Sequence, residues 1–391
     1  MTNQQLKKSA LRLYPVALNG FRTILNPLLA IGFSFVVVRY FSKELWGNFV
    51  EYMLFFFIAS IVTSWGNKTY LMRAFSQNPK NIIIDWQEFF LARVWLCGIF
   101  VIPILFLYPC HLIVYLILWL LSSFIYNSFL VIIYYNRDYI KSISIEVVGF
   151  VILVAQLYFL NDRINLDVLI RSYAISIVIK VMMSIIYYHR FIHFKEVKFN
   201  FNVLKLGLPF FLLAISGFLQ SKIDVYAFNI FYDGKLLGEY QIISGFFIFS
   251  QSLVTVIMFP YLKNIYRMQN KTILKIKKTT ITYGILINLT ITIFIYYILL
   301  LLFDIKLTLT QAIIGFFVGL PPYIYSMHVF YLFKQKMERK VVQISIYCLS
   351  LNFVLSLVLL ALDFDITGVL LANAAAQILG MYYYLNIKIN A

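Results

Sequence analysis

The sequence predicts an all-α polytopic membrane protein of about twelve transmembrane helices, arranged as two six-helix lobes related by a pseudo-two-fold parallel repeat. Three observations predict it. Of 391 residues, 62% are hydrophobic and 13% charged, with mean hydropathy +0.85, against roughly 45–50% apolar and 25% charged in a soluble domain. Apolar runs long enough to cross a bilayer, about 20 residues each, recur along the whole chain. Basic residues gather in alternate connections, as the positive-inside rule requires.

Taken in order, the first half gives spans at 15–38, 46–66, 87–108, 111–134, 143–160 and 167–188. The second half gives 203–231, 237–261, 279–303, 308–333, 341–361 and 366–387. The seventh run is long enough to tilt or to project from the bilayer. The termini and alternate loops, among them Lys7, Lys8 and Arg12, Lys68 and Arg73, and Lys334 to Lys340, carry 23 lysines and arginines. The opposite loops carry five: Arg39, Lys43, Arg163, Lys235 and Lys306. Both termini are therefore expected in the cytoplasm, and one missed span would scramble the alternation.

An internal repeat appears at an offset of 191, where Phe41-Ser-Lys-Glu-Leu-Trp-Gly47-Asn-Phe49 aligns with Tyr232-Asp-Gly-Lys-Leu-Leu-Gly238-Glu-Tyr240. Each piece joins the first two spans of a half. Six spans return the chain to its starting side, so the halves are parallel repeats about an axis along the membrane normal. Residues 1–190 are then the N-terminal lobe, 191–202 a cytoplasmic linker and 203–391 the C-terminal lobe. Pro27 and Pro209 stand in the first span of each half, where a lost helix hydrogen bond allows bending. Pro321-Pro322 is expected to break the tenth span, just after Gly315-x-x-x-Gly319, a spacing that permits close helix contact. Lys263, Arg267, Lys271 and Lys275 recur every four residues, which describes an amphipathic cytoplasmic segment at the headgroups.

Several function classes are excluded by the same reading. A net charge of +17 would suggest nucleic acid on a soluble module, but here the basic residues set topology. Cys97, Cys110 and Cys348 are too far apart in sequence for a metal spacing or a disulfide framework. His189 and His193 stand i,i+4 among basic residues and match no metal motif. The apolar run after Lys7, Lys8 and Arg12 is too long for a signal peptide. No Walker A sequence, paired acid/base motif or large outward loop is present, so neither an enzyme nor a cofactor is expected.

The residues that point to function are the charges inside the apolar spans. Such charges cost about 2.5–3.5 kcal/mol at a helix centre on insertion scales, so they face protein or a watery cavity. Arg22, Arg93, Lys180 and Lys222 form a candidate cationic set that suits an anionic group such as a diphosphate. Each also has a structural reading: Arg22, Arg93 and Lys180 could snorkel to an interface, and Lys222 with Asp224 could join two helices. Asp224 and Glu146 are candidate structural carboxylates or carriers of a coupling proton or Na⁺.

Gly207-Leu-Pro-Phe210, Lys222-Ile-Asp224 and Gly238-Glu-Tyr240, with Asn19-Gly-Phe-Arg22 and the final Ile366-to-Gly380 segment, resemble the polysaccharide-biosynthesis exporters. The match is to the O-antigen flippase (Wzx-type) branch of the multidrug/oligosaccharidyl-lipid/polysaccharide (MOP) exporter superfamily, whose members share a MATE-like architecture. The resemblance implies a flippase of the bacterial cytoplasmic (inner) membrane. It would move an undecaprenyl-diphosphate-linked oligosaccharide, an O-antigen, capsular or exopolysaccharide repeat unit, by alternating access. Membrane lipids would surround it, and a polysaccharide polymerase and chain-length regulator would be its partners in lipopolysaccharide or polysaccharide biosynthesis. Two other readings stand beside it: an ion-coupled small-molecule or drug antiporter of the same superfamily, which would favour acidic cavity residues, and a membrane-bound glycan polymerase or acyltransferase.

Overall fold

A computed structural model of the chain describes residues 3–160, 164–194, 200–262, 270–335 and 337–387. The described residues form helices and no strand. The first half comprises α1 (Asn3–Tyr40), α2 (Lys43–Ser64), α3 (Asn67–Gln77), α4 (Ile82–Leu107), α5 (Cys110–Asn136), α6 (Tyr139–Phe159) and α7 (Leu166–Tyr188). The second comprises α8 (Asn202–Phe231), α9 (Gly234–Leu262), α10 (Asn270–Phe303), α11 (Leu309–Gly319), α12 (Pro321–Lys334), α13 (Glu338–Ala361) and α14 (Asp365–Leu385). Eleven candidate membrane spans stand among the described residues, and α9 is a further helix of 29 residues. Large apolar side chains such as Phe106, Phe159 and Leu309 stand 83%, 83% and 76% exposed. Exposure of that kind along helix after helix suits hydrocarbon, where a helix satisfies its own backbone.

Each sequence span has its helix, with two refinements. The loop carrying Lys68 and Arg73 folds as α3, a short helix whose Leu71 and Phe75 are buried. The tenth span is two helices: α11 stops at Gly319 and α12 starts at Pro321. Of the basic stripe, Lys271 and Lys275 lie in the first turns of α10, and Lys263 and Arg267 lie outside the described residues. The starts of α7 and α11 each carry a side-chain cap. Asn165 accepts from Val168 N at 3.0 Å before α7, and Thr308 and Gln311 form a capping box before α11.

By internal contacts the chain forms two compact units, Met1–Leu29 with Glu51–Ile215, and Ala30–Val50 with Ser216–Ala391. The sequence division at 191–202 follows the order of the chain. The packing division assigns the end of α1 and the start of α2 to the second unit and the start of α8 to the first.

Within the first unit, Trp86, Phe89, Phe129 and Leu71 share one buried cluster. Against it the Gly207-Leu-Pro-Phe210 motif makes a seat. Trp65 stacks on Phe211 with ring centroids 4.2 Å apart and donates through Nε1 to Leu204 O at 2.9 Å. A Cβ at Gly207 would lie 3.1 Å from Trp65 and 3.2 Å from Phe89. The motif that carried the family resemblance thus has a packing reason.

Within the second unit, the two repeat segments meet. The offset of 191 that relates them also relates the helix limits, Tyr40 to Phe231 and Lys43 to Gly234. A Cβ on Gly47 would fall 1.6 Å from Gly234 O, and one on Gly238 would fall 2.6 Å from Lys43 O. Each glycine therefore touches the repeat counterpart of the residue that its partner touches, the reciprocity of a local two-fold contact. Lys43 Nζ to Glu239 Oε1 (3.0 Å) and Trp46 Nε1 to Gln241 Oε1 (3.1 Å) flank the crossing.

Alanine at Gly47 or Gly238 is expected to lower the thermal unfolding temperature of the purified protein, because inserting a methyl into close-packed backbone costs about 1–3 kcal/mol. Gly98→Ala, where a Cβ meets nothing within 4 Å, is expected to leave it unchanged or raise it, since Gly within a helix costs roughly 0.5–1 kcal/mol against Ala.

Candidate functional site

The charges of the first unit that the sequence singled out fall into three environments. Glu146 on α6 is buried, accepts from Tyr126 OH on α5 at 2.6 Å and pairs with Lys180 Nζ on α7 at 2.6 Å. The carboxylate thus ties three helices with one ion pair and one hydroxyl. Lys180 lies 5.9 Å from the Tyr126 ring centroid as well. A cation held by a carboxylate at this distance offers little net charge to a ligand.

Arg93 is completely buried on α4. Its Nε donates to Phe89 O (3.1 Å), its Nη1 to Thr63 O (3.1 Å) and Ser64 O (3.4 Å), and its Nη2 to Ser128 Oγ (2.9 Å). Thr63 and Ser64 end α2, where the last carbonyls have no helical partner. The guanidinium satisfies them and lies 4.9 and 5.1 Å from the rings of Phe89 and Phe124. This engagement removes Arg93 from the groups available to a ligand in this conformation.

Arg22 on α1 is different. It is 6% exposed and lies over the Tyr134 ring at 4.3 Å, with its buried Nε lacking a hydrogen-bond partner. Lys68 on α3 lies against the same ring at 3.9 Å. Neither forms a salt bridge among the described residues. Two cations sharing one aromatic ring without a carboxylate concentrate positive potential, and the ring quadrupole offsets part of their repulsion. The sequence pointed to Arg22 but placed Lys68 among the topology-setting charges and did not single out Tyr134. No spacing links positions 22, 68 and 134, so only the packing of α1, α3 and α5 reveals the group.

In the second unit, Asp224 on α8 is completely buried inside its own polar shell. One oxygen accepts from Val225 N at 2.9 Å. The other accepts from Tyr240 OH (2.6 Å) and Ser244 Oγ (3.3 Å) on α9 and from Asn373 Nδ2 (3.0 Å) on α14. This arrangement makes Asp224 a junction of three helices. Lys222, two residues before it, is half-buried. Of the six charges singled out in the sequence, Lys180 and Glu146 are brought together as a pair, Lys222 lies within electrostatic reach of Asp224, and Arg22 and Arg93 stand in settings of their own. Among the described residues no group of three or more His, Cys, Asp or Glu could hold a metal ion.

No protein-family model and no curated protein sequence matches the chain. Solved structures do match in fold. The lipid II flippase MurJ, in an inward closed conformation, aligns with TM-score 0.69 at 15% identity, covering 97% of this chain and 86% of that one. A multidrug resistance MATE family transporter of the MOP superfamily aligns in its inward-facing conformation with TM-score 0.62 at 12% identity, covering 93% and 94%. An outward-facing structure of a multidrug resistance MATE family transporter aligns with TM-score 0.56 at 15% identity, covering 97% and 95%. The fold of this chain is that of MATE- and MurJ-like MOP transporters.

Removing Lys180 alone is expected to destabilise the protein by about 3–5 kcal/mol, because it strands a buried charge, whereas replacing both partners with apolar residues of similar size is often near neutral. Thermal unfolding of Lys180→Met and of Lys180→Met/Glu146→Leu should therefore show the double variant as the more stable of the two.

Proposed function

We propose that the chain is a flippase that carries an undecaprenyl-diphosphate-linked oligosaccharide across the cytoplasmic membrane by alternating access. The observation that carries this reading is the Arg22–Tyr134–Lys68 group: two cations on one ring, neither in a salt bridge among the described residues. A diphosphate is the complement of such a group, since Arg offers a planar fork to its oxygens and Lys a mobile point charge. Lys222 is a further cation of the same reading. The shared fold supports a transporter, and among the similar structures is the lipid II flippase MurJ.

The antiporter reading needs carboxylates able to receive cationic substrates or coupling ions. The two intramembrane carboxylates singled out in the sequence are instead engaged: Glu146 by Lys180 and Tyr126, and Asp224 by Tyr240, Ser244, Asn373 and a backbone N–H. That engagement favours the anionic-substrate reading.

The test is the leaflet location of the lipid-linked oligosaccharide in cells that lack the protein. It is expected to accumulate on the cytoplasmic face and to be cleared by the wild type. Arg22→Ala, Lys68→Ala and Lys222→Ala should each lower transfer by roughly ten- to a hundredfold, from about 1.5–3 kcal/mol per hydrogen bond to a charged group. Unchanged outward transfer in the deletion strain, with no second flippase present, would overturn the assignment.

A further inference from the structure

The second unit contains a cavity that the cationic group does not explain. It measures about 260 Å³. α8 lends Gln220 and Ser221, α9 lends Gln251 and Ser252, α12 lends Tyr325 and α14 lends Gln377. None of the described residues lining it is charged. Each of these positions lies toward the middle of its helix or, for Tyr325, of the broken span formed by α11 and α12. Polar side chains at that depth have no water of the bilayer to turn to, so they pair with one another or face a polar occupant.

The lining is also held in place. Pro322 has no N–H, so Val318 O, four residues earlier, loses its helical donor. Gln251 Nε2 replaces that donor at 2.9 Å, which fixes the plane of its carboxamide. Tyr325 donates through OH to Gln377 Oε1 at 3.3 Å and stacks on Tyr384 with centroids 4.9 Å apart. Gln220 has no hydrogen bond among the described residues, and its carboxamide carries both donors and an acceptor.

This chemistry narrows the occupant. An inorganic anion or a diphosphate needs cations, and a metal ion or organic cation needs carboxylates; the lining has neither. Drug-sized ligands commonly take about 300–1,000 Å³, more than the cavity's volume of about 260 Å³. The carboxamides supply donors and acceptors, while the hydroxyls, whose protons go to Phe218 O, Phe249 O and Gln377 Oε1, supply acceptor lone pairs; together they match sugar hydroxyls, which donate and accept at once, and Tyr325 adds an aromatic face. We infer that the cavity formed by Gln220, Gln251, Tyr325 and Gln377 is a binding site for an uncharged sugar residue. Its place in transport rests on the flippase reading, in which the sugar would belong to the lipid-linked substrate, but binding of the sugar itself does not.

The experiment uses the full chain in nanodiscs prepared without sugar-based detergent. Saturation-transfer NMR is recorded with glucose, galactose, mannose, rhamnose, N-acetylglucosamine and N-acetylgalactosamine as probes. The wild type is expected to transfer saturation to at least one of them. Gln220→Met and Gln251→Leu are each expected to weaken that binding about tenfold, the scale of one lost hydrogen bond to a ligand. Gln220→Met should do so with an unchanged unfolding temperature, because Gln220 supports no neighbouring helix among the described residues.

No transfer to any of the six sugars would overturn the inference. So would transfer that survives both substitutions undiminished. Binding of undecaprenyl diphosphate bearing no sugar is measured in parallel. Its failure, with sugar binding intact, would count against the flippase reading and leave the sugar site standing.

Discussion

A charged group placed among apolar helices must be solvated by the protein, and much of the internal order of this chain follows from that constraint. Asp224 shows the solution in its fullest form, with a backbone N–H, two hydroxyls and a carboxamide drawn from α8, α9 and α14. Glu146 uses a cheaper version, one hydroxyl and one lysine. Arg93 reverses the polarity and collects carbonyls at the end of α2. In each case several helices converge on a single ionised group, so the group that is hardest to bury also fixes their mutual register. Arg22 departs from the pattern, since an aromatic ring, shared with the exposed Lys68, rather than an anion receives it. On the proposed reading, the contrast between saturated and unsaturated charge separates groups that build the scaffold from groups that would meet a substrate.

Close backbone approach is the second organising device. Gly47 and Gly238 allow the starts of α2 and α9 to cross with main-chain atoms in contact. Without an appreciable hydrophobic force between helices inside lipid, such contacts rely on dispersion and on small residues. The repeat unit visible in the sequence is therefore also a contact unit: the segments that match each other are segments that touch.

The helices were legible in the sequence because hydropathy and loop charge report directly on the bilayer. The limits 143–160 and 203–231 fall within a few residues of Tyr139–Phe159 and Asn202–Phe231. Pro321-Pro322 announced the break between α11 and α12 for the same direct reason, a missing donor. α3 escaped notice because eleven residues of mixed polarity between two spans look like a connection. The site was less legible. Residue type alone placed Arg22 and Arg93 in one class, and only their neighbours distinguish a guanidinium with four hydrogen bonds from one lying on a tyrosine ring. The polar cavity left no mark at all, since three glutamines at positions 220, 251 and 377 share no period and no motif.

The break at Leu320 has a consequence beyond the shape of the tenth span. Two adjacent prolines delete two donors from one helix, and one of the carbonyls thereby released is answered by a side chain from α9. The orientation of Gln251 is thus encoded by the absence of a hydrogen atom on a different helix. A lineage could retune what the cavity accepts by restoring that donor at position 322, leaving its polar wall residues unchanged. On the sugar-site reading, the cavity's selectivity would then be inherited through the backbone.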